Sequence, residues 1–218
     1  MTARTPELKQ LIASYKKIKP AITKRLNEFG PVHKAPDDHI FGELCFCLMT
    51  ANANALKCDE ALKDLKKSGC HINGSIGHVR SKIKGRVRFH NRKASYIVGA
   101  RNLFKSGRRI DMKARIDHED VIATRDWLVD NVKGIGYKEA SHFLRNIGLG
   151  QDIAILDRHI LKNLARHGVI HKIPDSVGSR KIYIDIEDKM RAFSESIGIP
   201  LEHLDLLFWS IQTGFIFK

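Results

Sequence analysis

Apolar residues recur at helical spacing along most of the chain. Leu8, Leu11, Ile12 and Tyr15 form one i, i+3, i+4, i+7 stripe, and Phe41, Leu44, Cys45, Leu48 and Met49 form another. Two more run through Ala140, Phe143, Leu144 and Ile147, and through Leu204, Leu207, Phe208 and Ile211. Each predicts an amphipathic helix with one face in a core. The stretch KIYIDIED alternates at Ile182, Ile184 and Ile186. Over a longer window Tyr183, Ile186, Met190, Phe193 and Ile197 hold the helical period, so it too is read as helix. No other stretch carries an alternating strand pattern.

Breaks fall at Gly30-Pro31, Ser68-Gly69, Asn73-Gly74, Gly107, Gly148 to Gly150, Pro174-Asp175 and Gly198 to Pro200. They divide the chain into roughly nine or ten helices with short connections, which predicts an all-α fold. Neither Gly30-Pro31 nor Pro174 sits in a long polar linker. The expectation is therefore a single unit over residues 1–218, built of two packed helical lobes that flank an active-site cleft.

Composition narrows the class. Four cysteines in 218 residues, Cys45, Cys47, Cys58 and Cys70, lie in helix-like sequence and read as free thiols, not as a disulfide framework. The start MTARTPELKQ has no apolar h-region and no run is long enough to span a bilayer, so the expected location is cytoplasmic, without membrane contact. Charge changes the picture more. The chain has 38 Lys and Arg against 24 Asp and Glu, a formal net charge of +14. Between Leu65 and Ile110 there are 13 basic residues and no acidic one, while the remainder is nearly neutral. One regional field of this kind suits a polyanion, because neutralised phosphates release condensed counterions. A solvated basic surface is the plainer alternative.

The most informative segment is Val132-Lys133-Gly134-Ile135-Gly136-Tyr137-Lys138. A helical run ends near Asn131, two glycines flank one aliphatic residue, and a new apolar stripe starts at Ala140. The glycines permit a tight turn between helices and let backbone N–H groups approach a phosphate at the next helix start. This is a helix-hairpin-helix pattern, spanning about 120–148, suited to backbone binding without base reading. Lys138 falls in the first turn of the second helix; taken alone, such a residue is a solvated charge. Nineteen residues later Asp157 closes the run Ile153-Ala154-Ile155-Leu156 and precedes Ile160, Leu161 and Leu164. That position is a helix N-cap, where a carboxylate is held ionised by N–H groups and can face a developing cation.

With VKGIGYK followed at this spacing by ILD, the sequence resembles the helix-hairpin-helix superfamily of base-excision DNA glycosylases. The resemblance implies that Lys138 attacks the deoxyribose C1′ of a flipped nucleotide, that Asp157 stabilises the sugar cation, and that the resulting imine permits β-elimination. Iron–sulfur members of that superfamily carry four cysteines after the hairpin, whereas here no cysteine follows Cys70. The resemblance therefore implies no iron–sulfur cluster and no other cofactor or metal. It extends over essentially the whole chain, including RFHNRKASYIVGARN and LDLLFWSIQTGFIFK, and is closest to the short, archaeal-type second family of 8-oxoguanine DNA glycosylase/AP lyases.

That likeness implies roles for further residues. Asn52, in TANAN, matches the first Asn of a helix start that enters the gap left by the flipped base. Phe89, between Arg88 and His90, is the candidate wedge beside the vacated position, with a core aromatic as the alternative. Arg88 is a candidate phosphate contact, and Gly134, Ile135 and Gly136 supply the hairpin backbone. His159 matches a phosphate-contacting position, although Arg158 departs from the usual apolar residue there. At the chain end, Trp209 and Lys218 are the candidates for reading the flipped base. The implied protein is a monomeric bifunctional repair enzyme acting on double-stranded DNA that contains 8-oxoguanine. A non-catalytic hairpin that only binds DNA, and a glycosylase for another damaged base, are the alternatives.

Overall fold

The computed structural model describes residues 5–217, and among them it is helical almost throughout. In chain order the helices are α1 (Pro6–Phe29), α2 (Asp37–Thr50), α3 (Ala55–Lys67), α4 (Cys70–Asn73), α5 (Ile76–Ile83), α6 (His90–Leu103), α7 (Val121–Asn131), α8 (Tyr137–Asn146), α9 (Arg158–Arg166), α10 (Arg180–Ile197) and α11 (Leu201–Thr213). The all-α expectation is met, and KIYIDIED lies in α10 as its longer period requires. One strand pair departs from the sequence reading: β1 (Lys105–Ser106) and β2 (Arg109–Ile110) form a small antiparallel hairpin. Gly107 makes the turn with φ 60°. Two residues per strand are too few for alternation to register.

The chain forms two compact units, one of residues 31–149 and one of 1–30 with 150–218. The first is built around α2. From Ile40 to Thr50 every residue is buried, because α3, α6 and α8 pack against it together. A helix covered on all sides needs no polar face, so its stripe in the sequence is broad and weakly amphipathic. The polar groups it does bury are partnered: Asn146 of α8 donates to Glu43 Oε2 at 3.2 Å. The acid-free basic segment is partly balanced in space, since Arg86 is ion-paired to Asp64 Oδ2 at 2.5 Å and lies 3.9 Å from Glu60, both on α3.

In the second unit α11 packs against α1, α9 and α10. Tyr15 Oη and His203 Nδ1, 3.0 Å apart, tie α1 to α11. Residues 153–156 run without regular secondary structure, buried, into α9. Its backbone groups are met by α10: Ala154 N–H donates to Glu187 Oε2 at 2.7 Å, Leu156 N–H donates to Tyr183 Oη at 3.1 Å, and Tyr183 Oη donates to Ala154 O at 2.7 Å. Buried main chain outside a helix requires such partners, and these fix the approach to Asp157. Tyr183→Phe should therefore destabilise the protein by about 1–3 kcal/mol, the cost of leaving buried peptide groups unpaired, measured by urea denaturation.

Candidate nucleic-acid interface and active site

In the first unit the hairpin forms where the two glycines predict it. Helix α7 ends at Asn131, Gly134 takes φ 95°, and α8 begins at Tyr137 with Gly136 as its N-cap. No side chain caps α8 at Gly136, so its positive end is presented by backbone alone. Ile135 is an anchor: its side chain is buried, and its N–H donates to Val132 O at 3.2 Å. Gly134 is exposed but closely backed, for a Cβ there would stand 2.2 Å from Tyr96 Cδ2. The hairpin is thereby seated on α6, the helix of the basic segment.

Lys138 is in the first turn of α8, partly buried, with its Nζ 3.8 Å from Glu139 Oε1. Beneath the hairpin, the fully buried Arg125 of α7 donates to Ser141 Oγ at 3.2 Å and lies over the Tyr137 ring at 5.8 Å. Helices α7 and α8 are thus locked together under the amine. Asn52 and Phe89 lie in the same unit. Both are exposed, Phe89 by 55%, which removes the core-aromatic reading. Arg88 is exposed and covers the Phe89 ring at 5.3 Å. Among nearby groups, burial pushes the Cys58 thiol up to about 11, so this cysteine is a poor nucleophile.

Asp157 belongs to the other unit. It is the N-cap of α9, accepting from His159 N–H at 2.7 Å and Ile160 N–H at 2.9 Å through Oδ1. Both bonds use one oxygen, which leaves Oδ2 without a backbone donor, and the residue is half-exposed. His159 is half-exposed in the first turn of α9. Trp209, half-buried on α11, is met by the returning chain: Phe215 packs edge-on at 5.1 Å and Phe217 stacks at 6.4 Å. Arg25 of α1 lies over the Phe217 ring at 5.9 Å, a contact that periodicity did not signal. Lys218 lies outside the described residues. Among the described residues no cluster of three or more His, Cys, Asp or Glu has the arrangement of a metal site, and no helix is long and apolar enough to cross a membrane.

The family model described as 8-oxoguanine DNA glycosylase, of the helix-hairpin-helix type, matches residues 22–199. The chain belongs to this 8-oxoguanine DNA glycosylase family. A relative from Fusobacterium nucleatum named 8-oxoguanine DNA glycosylase/AP lyase is 40% identical over 206 residues, 94% of each chain. One of the same name from Methanocaldococcus jannaschii is 39% identical over 92% of this chain and 93% of its own. The solved structure of the M. jannaschii 8-oxoguanine glycosylase/lyase with a 15mer DNA containing 8-oxoguanine matches with a TM-score of 0.88 and 35% identity, covering 98% of this chain and all of that one. The match spans both units and includes the hairpin and Asp157 in the family region.

The close seating of Gly134 gives a test of the hairpin. Gly134→Ala must place a Cβ at positive φ and against Tyr96, so we expect a loss of about 2–3 kcal/mol in stability. Affinity for undamaged duplex should fall with it, whatever the DNA sequence. Thermal melting and fluorescence anisotropy on two unrelated duplexes check both.

Proposed function

We propose that the chain is a bifunctional base-excision repair enzyme that removes 8-oxoguanine from double-stranded DNA and then cuts the strand by β-elimination. The observation that carries this reading is Lys138 in the first turn of α8, behind an uncapped glycine hairpin, in a chain of the 8-oxoguanine DNA glycosylase family. Residues 1–218 act together as one glycosylase unit and as a monomer, cytoplasmic and bound to DNA, with residues of about 120–148 gripping the backbone. The chemistry uses no metal and no iron–sulfur cluster, since an amine and a carboxylate suffice.

The neutral Lys138 Nζ attacks C1′, and the C1′–N9 bond breaks with its electron pair leaving on the base, which takes up a proton. The free oxygen of Asp157 faces the cationic sugar that develops as this bond lengthens. The nitrogen gives up a proton and expels the ring oxygen, which takes a proton up as a hydroxyl, to give a protonated imine. Loss of a C2′ proton drives out the 3′ phosphate, which cuts the strand 3′ to the lesion, and water releases Lys138. Trp209 and Lys218 read the extruded base, Asn52 and Phe89 occupy the place it leaves, and Gly134, Ile135, Gly136, Arg88 and His159 position the backbone. In support, Phe89 is an exposed aromatic and Trp209 stands on a helix braced by two rings.

Borohydride reduces an imine and freezes the enzyme on DNA. Lys138→Gln should abolish that adduct on 8-oxoguanine duplex and leave binding largely intact; trapping at the parental level would remove Lys138 from the reaction. No trapping and no base release by the parent itself would favour a binding module, and release of other bases in preference to 8-oxoguanine would change the substrate. Asp157→Asn keeps an oxygen for the α9 cap, yet should slow excision on the order of 10²-fold or more by losing the charge. Single-turnover rates beside a thermal melt separate the two roles.

A further inference from the structure

Two non-glycine residues among those described have left-handed backbone: Asn52 at φ 52° and Phe89 at φ 57°. Such residues store strain and persist only where their surroundings hold them. One residue connects the two, by its side chain on one side and its main chain on the other. Lys93 of α6 is only 4% exposed, and its Nζ donates to Met49 O at 2.6 Å and to Ala51 O at 2.5 Å. These carbonyls belong to the end of α2, and Ala51 immediately precedes Asn52. The main-chain N–H of the same lysine donates to Phe89 O at 3.0 Å. Cys58 Sγ adds a bond to Met49 O at 3.3 Å.

A buried ammonium is an expensive way to end a helix. Burial draws the Lys93 ammonium down from the usual lysine range, with Cys58 and Glu139 favouring the charge and Lys138 and Arg88 opposing it. Helices ordinarily end in glycine or in water at far lower cost. What the ammonium adds is a fixed link: two charge-assisted bonds hold the turn before Asn52 to the helix that starts after Phe89.

We propose that Lys93 is a positioning residue for nucleotide extrusion, holding Asn52 and Phe89 at a set separation so that both enter the duplex where the damaged nucleotide leaves. This rests on the proposed function, and it gives the buried lysine a role distinct from that of Lys138. The helix end and the wedge then work as one piece, since the carbonyls of Met49 and Ala51 before Asn52 and the carbonyl of Phe89 are all bonded to Lys93.

The test is the preference for a duplex carrying a tetrahydrofuran abasic analogue opposite cytosine over the undamaged duplex, measured as a ratio of dissociation constants. It needs no chemistry. Lys93→Met should lower that ratio about ten-fold, and so should Asn52→Gly, which removes the inserted side chain together with its strain; because one acts through the other, the double variant should lie within about two-fold of the worse single. Losses that multiply in the double variant, or a folded Lys93→Met with its ratio unchanged, would overturn the proposal. If Lys93→Met fails to melt cooperatively, Lys93→Gln takes its place, with a shorter amide donor group and no charge, and is expected to show the same coupling to Asn52 at smaller amplitude. Excision of 8-oxoguanine by the parent is followed in parallel: its absence would refute the proposed function while the binding ratios still decide on Lys93.

Discussion

A helix leaves its first N–H groups and its last C=O groups without partners in the helix, and in this chain four of the candidate site residues stand at such ends. Asn52 follows the end of α2, Phe89 is the N-cap of α6, Gly136 that of α8 and Asp157 that of α9. Each end is resolved differently. The end of α2 is buried, so it is closed by an ammonium. The start of α9 is closed by a carboxylate that keeps one oxygen in reserve. The start of α8 is capped by no side chain, and Gly134 before it lets the chain pass close against Tyr96. A positive helix end without a side-chain cap is suited to a phosphate oxygen.

The helix ends were also what the sequence made most legible. Gly134 and Gly136 announced the turn, and Asp157 announced itself as a cap because an apolar run ends and a helical period begins around it. Lys138 followed from counting two residues past the hairpin. In contrast, nothing local in RFHNRKAS shows that Lys93 reaches Met49, forty-four positions earlier, or that Tyr96 lies against Gly134. Periodicity tells which face of α6 is buried; it does not tell what that face meets. The left-handed turn at Asn52 is similarly silent, since asparagine is as common in ordinary caps and turns. It is Asn54, two residues on, that caps α3.

Charge was legible as a sum and misleading as a count. Of the 13 basic residues between Leu65 and Ile110, Arg86 is engaged by Asp64, Lys93 by the end of α2, and Arg101 donates to Gly74 O at 2.8 Å. Lys66 stands 4.0 Å from the buried Glu43. These four hold the first unit together. The remaining nine, Lys67, Arg80, Lys82, Lys84, Arg88, Arg92, Lys105, Arg108 and Arg109, are all exposed. A run without acids reads as one field, but folding brings acids from α3 and carbonyls from α2 and α4 against part of it, so only the exposed portion is free to meet a polyanion.

The division between engaged and exposed bases bears on how a rigid site and a mobile substrate can be reconciled. Exposed lysines and arginines on flexible stems attract a phosphate backbone from any direction and tolerate many registers. Extrusion of one nucleotide tolerates few, because an inserted side chain displaced by an ångström meets a base pair instead of a gap. The engaged bases are placed for that second requirement: Lys93 ties the end of α2 to the start of α6, and Arg125, buried under the hairpin, ties α7 to α8. Long-range attraction is therefore left to charges the fold does not use, and short-range geometry is set by charges bonded to buried carbonyls and a buried hydroxyl, whose release gives up charge-assisted bonds.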